Sequence, residues 1–543
     1  MEASMNSSAS PAPALSAQFS DAISCKQWLK TLPLTNIPLA HAALTAQMEL
    51  LNRTPFAPLE RLKINELLRD PIVFVQLEMA RKYLGKPLPL ETVQLNNWNS
   101  VVGLWAALGA AFRLSLQACL EGDASVAGHA ALITQRCLRW TGLQLVEHYR
   151  IYREIDKGVW QQAHELYALA EQRGYAMEVV RDRLNRQTDS ATCAASYAQI
   201  LLTNLADPYR LTPKQLSLLD RWLDKWGVRV TIAATPPENM ALSLIGVDLA
   251  ASAPPVMVRN DMKLANPRYL DTDRLATTFR KRIKQLRNNV DPAALGLGED
   301  CVQPDCEALL TALYRHWFES APKRRNFTRR PGGADKAQAA LGMAAIHFFL
   351  GGEKPFKQPG ETKKLSKREI EDLQFFGRIS DQTEQLHISQ LGFGLETWQI
   401  QDEGALGFRL VRPDKGGMRI SLKQLIAIRP ADSNTYALGV IKWLIFPSNN
   451  GLNIGVRVLP GIPLAIAARP VALMTDASNK YVQSFLLPDL PVLKETTSLV
   501  LPPGWFAPGR LVEVHTEEQL ITVRLNSLIE KGSDYERVGF VRV

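Results

Sequence analysis

Cysteine is scarce in this chain. Six thiols (Cys25, Cys119, Cys137, Cys193, Cys301 and Cys306) are scattered over 543 residues. That spacing argues against a disulfide-stapled scaffold and suits a reducing compartment, so a cytoplasmic location is expected. Cys301 and Cys306 are the closest pair, but a zinc site needs four ligands and no second pair has suitable spacing. Both are therefore expected as free thiols, and no metal is expected. The eight histidines form no H-E-x-x-H pattern, because Ala168 stands where His164-Glu165 would need a second histidine. The spacings of a phosphate loop, G-x-x-x-x-G-K-S/T, and of a nucleophile elbow, G-x-S-x-G, are missing too. With no catalytic constellation in the sequence, an enzyme is not expected.

Long apolar runs are also lacking. The longest, Val101–Phe112, is interrupted by Arg113 and falls short of the roughly 20 residues that cross a bilayer, so no membrane span is expected. Met1–Gln18 is rich in Ser, Ala and Pro, without the basic start and apolar segment of a signal peptide. Residues 1–30 are expected to be a disordered tail.

What is present points to several domains. A chain of 543 residues is too long for one core. The formal net charge of +9 is modest for this length, so where the charge lies matters more than its sum. Helical periodicity dominates residues 31–235, read as an irregular α-helical bundle or solenoid that binds a protein partner. Trp98–Leu120 is a long apolar helix, with Asn99-Ser100 as its expected cap. Trp160, Ala163, Leu166, Tyr167 and Ala170 share one face of a helix resembling the first of a tetratricopeptide hairpin. Thr212-Pro213-Lys214-Gln215 combines a cap, a proline at the first helical position and a glutamine at the third, which is a helix start signal.

Residues 236–320 read as a mixed strand and helix segment. It contains a basic amphipathic helix, Thr272–Asn288, with Leu275, Phe279, Ile283 and Leu286 along one stripe and arginines and lysines elsewhere. Such a helix can contact nucleic acid, but it lacks interleaved aromatics for base stacking. A solvated face is the simpler reading, so a nucleic-acid partner is not expected.

After Arg330 the texture becomes β. Ala340–Leu350 is expected as a first barrel strand. Residues 353–392 are read as an insertion containing a short helix at Ser366–Phe376. Strands follow at Glu396–Gln401 and Gly407–Val411, and again around Leu438–Trp443 and Ile454–Val458, spaced as in a small barrel. Gly404 and Gly407 permit a tight turn and a close backbone approach. Residues 461–543 are expected to form a second small β-barrel or sandwich. Trp398 and Trp443 are expected in the barrel core.

Arg325 and Arg329 form an R-x-x-x-R spacing. Asp402 and Gly407 follow the pattern D/N-x-S-x-x-G with Gly404 at the serine position, and Val440–Trp443 and Gly455–Val458 come after them. In that order the set resembles the PilZ domain, a bacterial β-barrel receptor for cyclic di-GMP, over residues 321–460. The stretch between Arg329 and Asp402 is longer than in the family.

The resemblance implies a PilZ-like antiparallel β-barrel there; with the irregular α-helical N-terminal half and the second small all-β domain read from the rest of the chain, the expected fold class is multidomain α + β. The resemblance also implies cyclic di-GMP as the ligand, with Arg324, Arg325, Arg329, Arg330, Asp402, Gly404 and Gly407 lining its site. Arginine suits phosphates and guanine edges, because its planar fork bonds either of them bidentately. Asp402 would accept from guanine N1–H and N2–H, and Gly407 would leave room for the base. Binding would be passed to a protein partner, with surface attachment, biofilm or motility as the output. The alternative is a scaffold or adaptor acting through its helical half, whose barrel has lost its ligand.

Overall fold

A computed structural model describes residues 18–185, 188–237, 243–259, 261–319, 330–331, 335–360, 393–404, 406–412, 417–447, 451–471, 480–516 and 519–543, together with residues 367, 370, 371 and 374. The chain divides into two compact units. One is formed by residues 1–86 and 90–323, the other by residues 324–543 with 87–89.

The first unit is built on α1 (Ala22–Leu29), α2 (Ile37–Arg53), α3 (Pro58–Ala80), α4 (Thr92–Leu120), α5 (Ala130–Arg150), α6 (Lys157–Gln172), α7 (Cys193–Leu205) and α8 (Pro213–Trp226). The expected tail thus contains a helix. Asp21 and Ser24 cap α1 reciprocally, and Phe19 and Cys25 are buried, which gives the segment apolar anchorage that its polar composition hides. The start signal at α8 is realised, with Gln215 N–H donating to Thr212 Oγ1 at 3.3 Å and Thr212 N–H donating to Gln215 Oε1 at 2.9 Å.

Helix α4 starts at Thr92 rather than at the expected Asn99-Ser100 cap, so it spans 29 residues. By length and composition it is apolar enough to cross a membrane, and half of its apolar window is buried in the protein. Trp98, Leu104, Trp105, Leu108 and Phe112 place it in the bundle core, where Trp105 stacks on Trp140 of α5 at 5.6 Å. No simple hairpin joins α6 to α7: a ribbon of β1 (Val180–Arg181) and β2 (Ser190–Ala191) intervenes.

Four short strands, β3 (Thr231–Ala233), β4 (Ile245–Asp248), β5 (Val256–Met257) and β6 (Pro267–Asp271), form a sheet in the order β3-β6-β4-β5. They are followed by α9 (Asp273–Arg287) and α10 (Asp305–Phe318). Leu275, Phe279, Ile283 and Leu286 of α9 are buried while Arg274, Arg280, Lys281 and Arg287 face solvent, as the amphipathic stripe predicts. Cys301 and Cys306 form a disulfide rather than free thiols. The tight turn before α10 brings their Cα atoms to 5.2 Å, within the reach that a disulfide requires.

The second unit contains two antiparallel barrels. In the first, β8 (Lys336–Leu341), β9 (Glu396–Gly404), β10 (Gly407–Arg412), β13 (Leu452–Val458), β12 (Ala437–Ile445) and β11 (Leu425–Pro430) close into a ring, since β9 pairs with both β8 and β10. A two-residue strand, β7 (Arg330–Pro331), lies along the same edge of β9 as β8 does. The second barrel closes in the order β14 (Leu464–Pro470), β15 (Val482–Leu487), β16 (Ser498–Leu501), β19 (Glu536–Arg542), β18 (Leu520–Lys531) and β17 (Leu511–His515).

The run expected as one strand, Ala340–Leu350, divides. Its start ends β8, and Met343–Leu350 is a helix, α11. An apolar run bounded by turn residues fits either state, and burial on several sides favours the helix here. Ile346 and Phe348 share a core with Leu425, Leu438 and Val440 of the first barrel and with Phe485, Leu487 and Val500 of the second. Within the expected insertion, residues 367, 370, 371 and 374 are helical.

Candidate ligand-binding face

Simple alternation from Trp398 and Ile400, both fully inside the first barrel, would send Asp402 inward as well. A bulge prevents this. Arg409 pairs with Asp402 but the next residue, Leu410, pairs with Ile400, so Gln401 is the extra residue and Asp402 turns to the outer face. A second bulge does the same on β12, where Ile441 pairs with Val456 and Trp443 with Gly455, leaving Lys442 over. Trp443 therefore stands outside the barrel, half-buried, and not in its core, whereas Trp398 lies in the core as expected.

The two bulges align one outward row across four strands. Asp402 of β9 is opposite Arg409 of β10, Arg409 is opposite Gly455 of β13, and Gly455 is opposite Trp443 of β12. The guanidinium carbon of Arg409 lies 5.9 Å from the centre of the Trp443 ring, within the range of a cation–π contact. Row neighbours on one face of a sheet interact directly. A carboxylate, a planar cation and an aromatic ring thus share one outward row of the barrel. Such a set can accept hydrogen bonds from the edge of a planar base and cover its face.

The strand that follows the R-x-x-x-R segment in sequence, β7, adjoins this row. Arg330 pairs with Glu403 and Pro331 with Asp402, so β7 runs beside the end of β9 that carries the row. Arg324, Arg325 and Arg329, and the side chain of Arg330, lie outside the described residues. Gly404 and Gly407 face each other across the hairpin, and Asp402–Gly404 belong to the strand rather than to a turn. A β-carbon on Gly407 would collide with the Val456 carbonyl, so the glycine lets β13 approach.

Arg409 and Trp443 escaped the sequence reading. A bulge leaves no compositional mark, and without it period-two alternation puts both tryptophans inside.

The face is tied to the second barrel. Glu530 of β18 accepts from Lys442, the extra residue of the β12 bulge, at 3.0 Å and pairs with Arg457, which stands opposite Gly407. Burial works to raise the Glu530 carboxyl, but Arg457 and Lys442 outweigh it and hold the group below its ordinary range. Among the described residues, no group of three or more His, Cys, Asp and Glu side chains is placed to hold a metal ion.

Three family models match the chain in succession. The N-terminal domain of the cyclic-di-GMP receptor FimW matches residues 23–237, its middle PilZ domain residues 244–392, and the FimW C-terminal β-barrel domain residues 466–543. The PilZ match begins earlier than the resemblance read from the sequence and stops before β9. The cyclic-di-GMP receptor FimW of Pseudomonas aeruginosa is 23% identical over 539 residues, covering 91% of this chain and 86% of the relative. No solved structure matches the chain.

Proposed function

The chain belongs to the PilZ-containing family of cyclic-di-GMP receptors, and from that premise we propose that it is a cytoplasmic effector that binds cyclic di-GMP on the outer face of its first barrel. The observation that carries the reading is the pairing of β7 with β9, which sets the residue following Arg329 beside the Asp402–Arg409–Trp443 row.

In this reading Arg325 and Arg329, with Arg324 and Arg330, bind the phosphates and one guanine edge. Asp402 accepts from guanine N–H groups, and Gly404 and Gly407 keep the hairpin narrow beside the base. Arg409 and Trp443 add a cationic and an aromatic surface for the second ring system. The ligand shifts a population only if it binds one arrangement of the arginine segment better than another. Glu530 supports transmission to the second barrel, because it grips the bulge beside Trp443. The helical unit supplies the surface for a protein partner, with surface attachment, biofilm or motility as the output. Gly404 at the serine position favours a second reading, a scaffold whose barrel no longer holds the nucleotide.

Ultraviolet crosslinking to labelled cyclic di-GMP tests the proposal. Labelling that unlabelled cyclic di-GMP removes and GTP does not is the expected result. Labelling no stronger than with GTP leaves the scaffold reading.

A further inference from the structure

In the helical unit a groove of about 980 Å³ opens between α1, the first halves of α3 and α5, and the ribbon strand β1. Three helices each turn one stripe toward it. Helix α3 presents Leu59, Leu62, Glu66 and Asp70, α1 presents Ala22, Ile23 and Lys26, and the α5 side presents His129, Leu132 and Arg136. Steps of three and four are how a helix shows one face to a neighbouring helix. Three such stripes around one slot are the seat of a further helix.

The floor is apolar and the rim cationic. Leu59, Leu62, Leu67 and Leu132 line the bottom, and Ile23 is 74% exposed at the edge. Lys26, Lys63, Arg181, Arg183 and His129 are exposed around it. Of the two acids, Glu66 is bound to Arg136 at 2.8 Å and to Arg69 at 2.7 Å, while Asp70 is exposed. Beneath them the buried Asp182 carboxylate pairs with Arg69 and bonds Arg139 at 3.0 Å, which fixes the inner wall. Lys63 and Arg181 have Glu60 and Asp189 beside them, but these are solvent-exposed pairs that exchange readily with other partners.

We propose that this groove docks an acidic amphipathic helix of a partner protein. Apolar side chains at i, i+3, i+4 and i+7 would seat on the leucine floor, and flanking Asp and Glu would meet the rim. The inference rests on the reading of the helical unit as the partner-binding part. It does not require the nucleotide, because every lining residue lies between Ala22 and Arg183.

The test uses the full-length chain and three fluorescent peptides of about 18 residues, long enough for five helical turns. One carries leucine at the four anchor spacings with glutamate elsewhere, the second has lysine in place of glutamate, and the third scrambles the first. The glutamate peptide is expected to bind, more weakly as salt is raised. Lys63→Glu and Arg183→Glu, both exposed and checked for unchanged thermal unfolding, should each weaken it about threefold and together about tenfold. Arg325→Ala/Arg329→Ala should leave peptide binding intact, so failure of the nucleotide reading is seen separately.

Equal binding of the lysine or scrambled peptide overturns the proposal. So does self-association of the chain abolished by the two charge reversals, which assigns the groove to a second copy. A large gain in peptide affinity on deleting residues 1–17 also overturns it, by assigning the groove to the chain's own beginning.

Discussion

The indole of Trp443 rests against the bare backbone of Gly455. The two are paired across β12 and β13, and a β-carbon at position 455 would collide with the indole nitrogen. Gly455→Ala must push the ring aside or part the strands. A loss of about 1–3 kcal/mol is expected, as for other overpacking changes, read by denaturant unfolding together with a red shift in tryptophan emission.

Arg409 stands between Asp402 and Trp443 in the outward row, half-buried and away from the barrel core. Arg409→Ala should leave the fold intact and weaken cyclic di-GMP binding about tenfold or more. Arg409→Lys should fall between the two, because it keeps the charge but loses the planar fork. Equilibrium titration of the three proteins checks this order.

How far the sequence reveals this protein depends on which periodicity is intact. The amphipathic stripe of α9 and the Thr212–Gln215 cap follow local rules without interruption, and they are where the residues say they should be. The order of arginines, Asp402, Gly407 and the later strands points to the right family. The outer row was not legible, because bulges at Gln401 and Lys442 each reverse the inward and outward alternation that strand reading relies on. Met343–Leu350 failed for another reason: an apolar run buried by both barrels carries no amphipathic period to separate helix from strand. The Cys301–Cys306 bond depends on a tight turn that spacing alone does not specify.

Glu530 joins the second barrel to the face through Lys442 and Arg457. Glu530→Gln leaves two cations without their carboxylate, and a loss of about 1–2 kcal/mol is expected for so partly exposed a pair. Thermal unfolding measures that loss. If the link transmits binding, cyclic di-GMP should protect the second barrel from proteolysis in the parent protein and fail to do so in the variant.

Asp534 is pushed up to about 6 by burial, although the Leu425 N–H donates to it at 3.0 Å. A carboxyl raised in the folded state contributes its stability fully below the unfolded value near 3.8, and that contribution is lost as pH rises through about 6. Asp534→Asn keeps an acceptor for Leu425 and removes the charge. The melting temperatures of variant and parent should coincide below about pH 4. Above about pH 6 the variant should melt higher, by an amount on the order of 1–2 kcal/mol in stability.

Isothermal titration of cyclic di-GMP into the purified full-length chain, beside Arg325→Ala/Arg329→Ala and Asp402→Ala, is the decisive experiment on ligand binding at the outer face. Binding with a dissociation constant on the order of micromolar or tighter is expected, lost in both variants while their thermal unfolding stays unchanged. No heat and no thermal shift in the parent protein would contradict it.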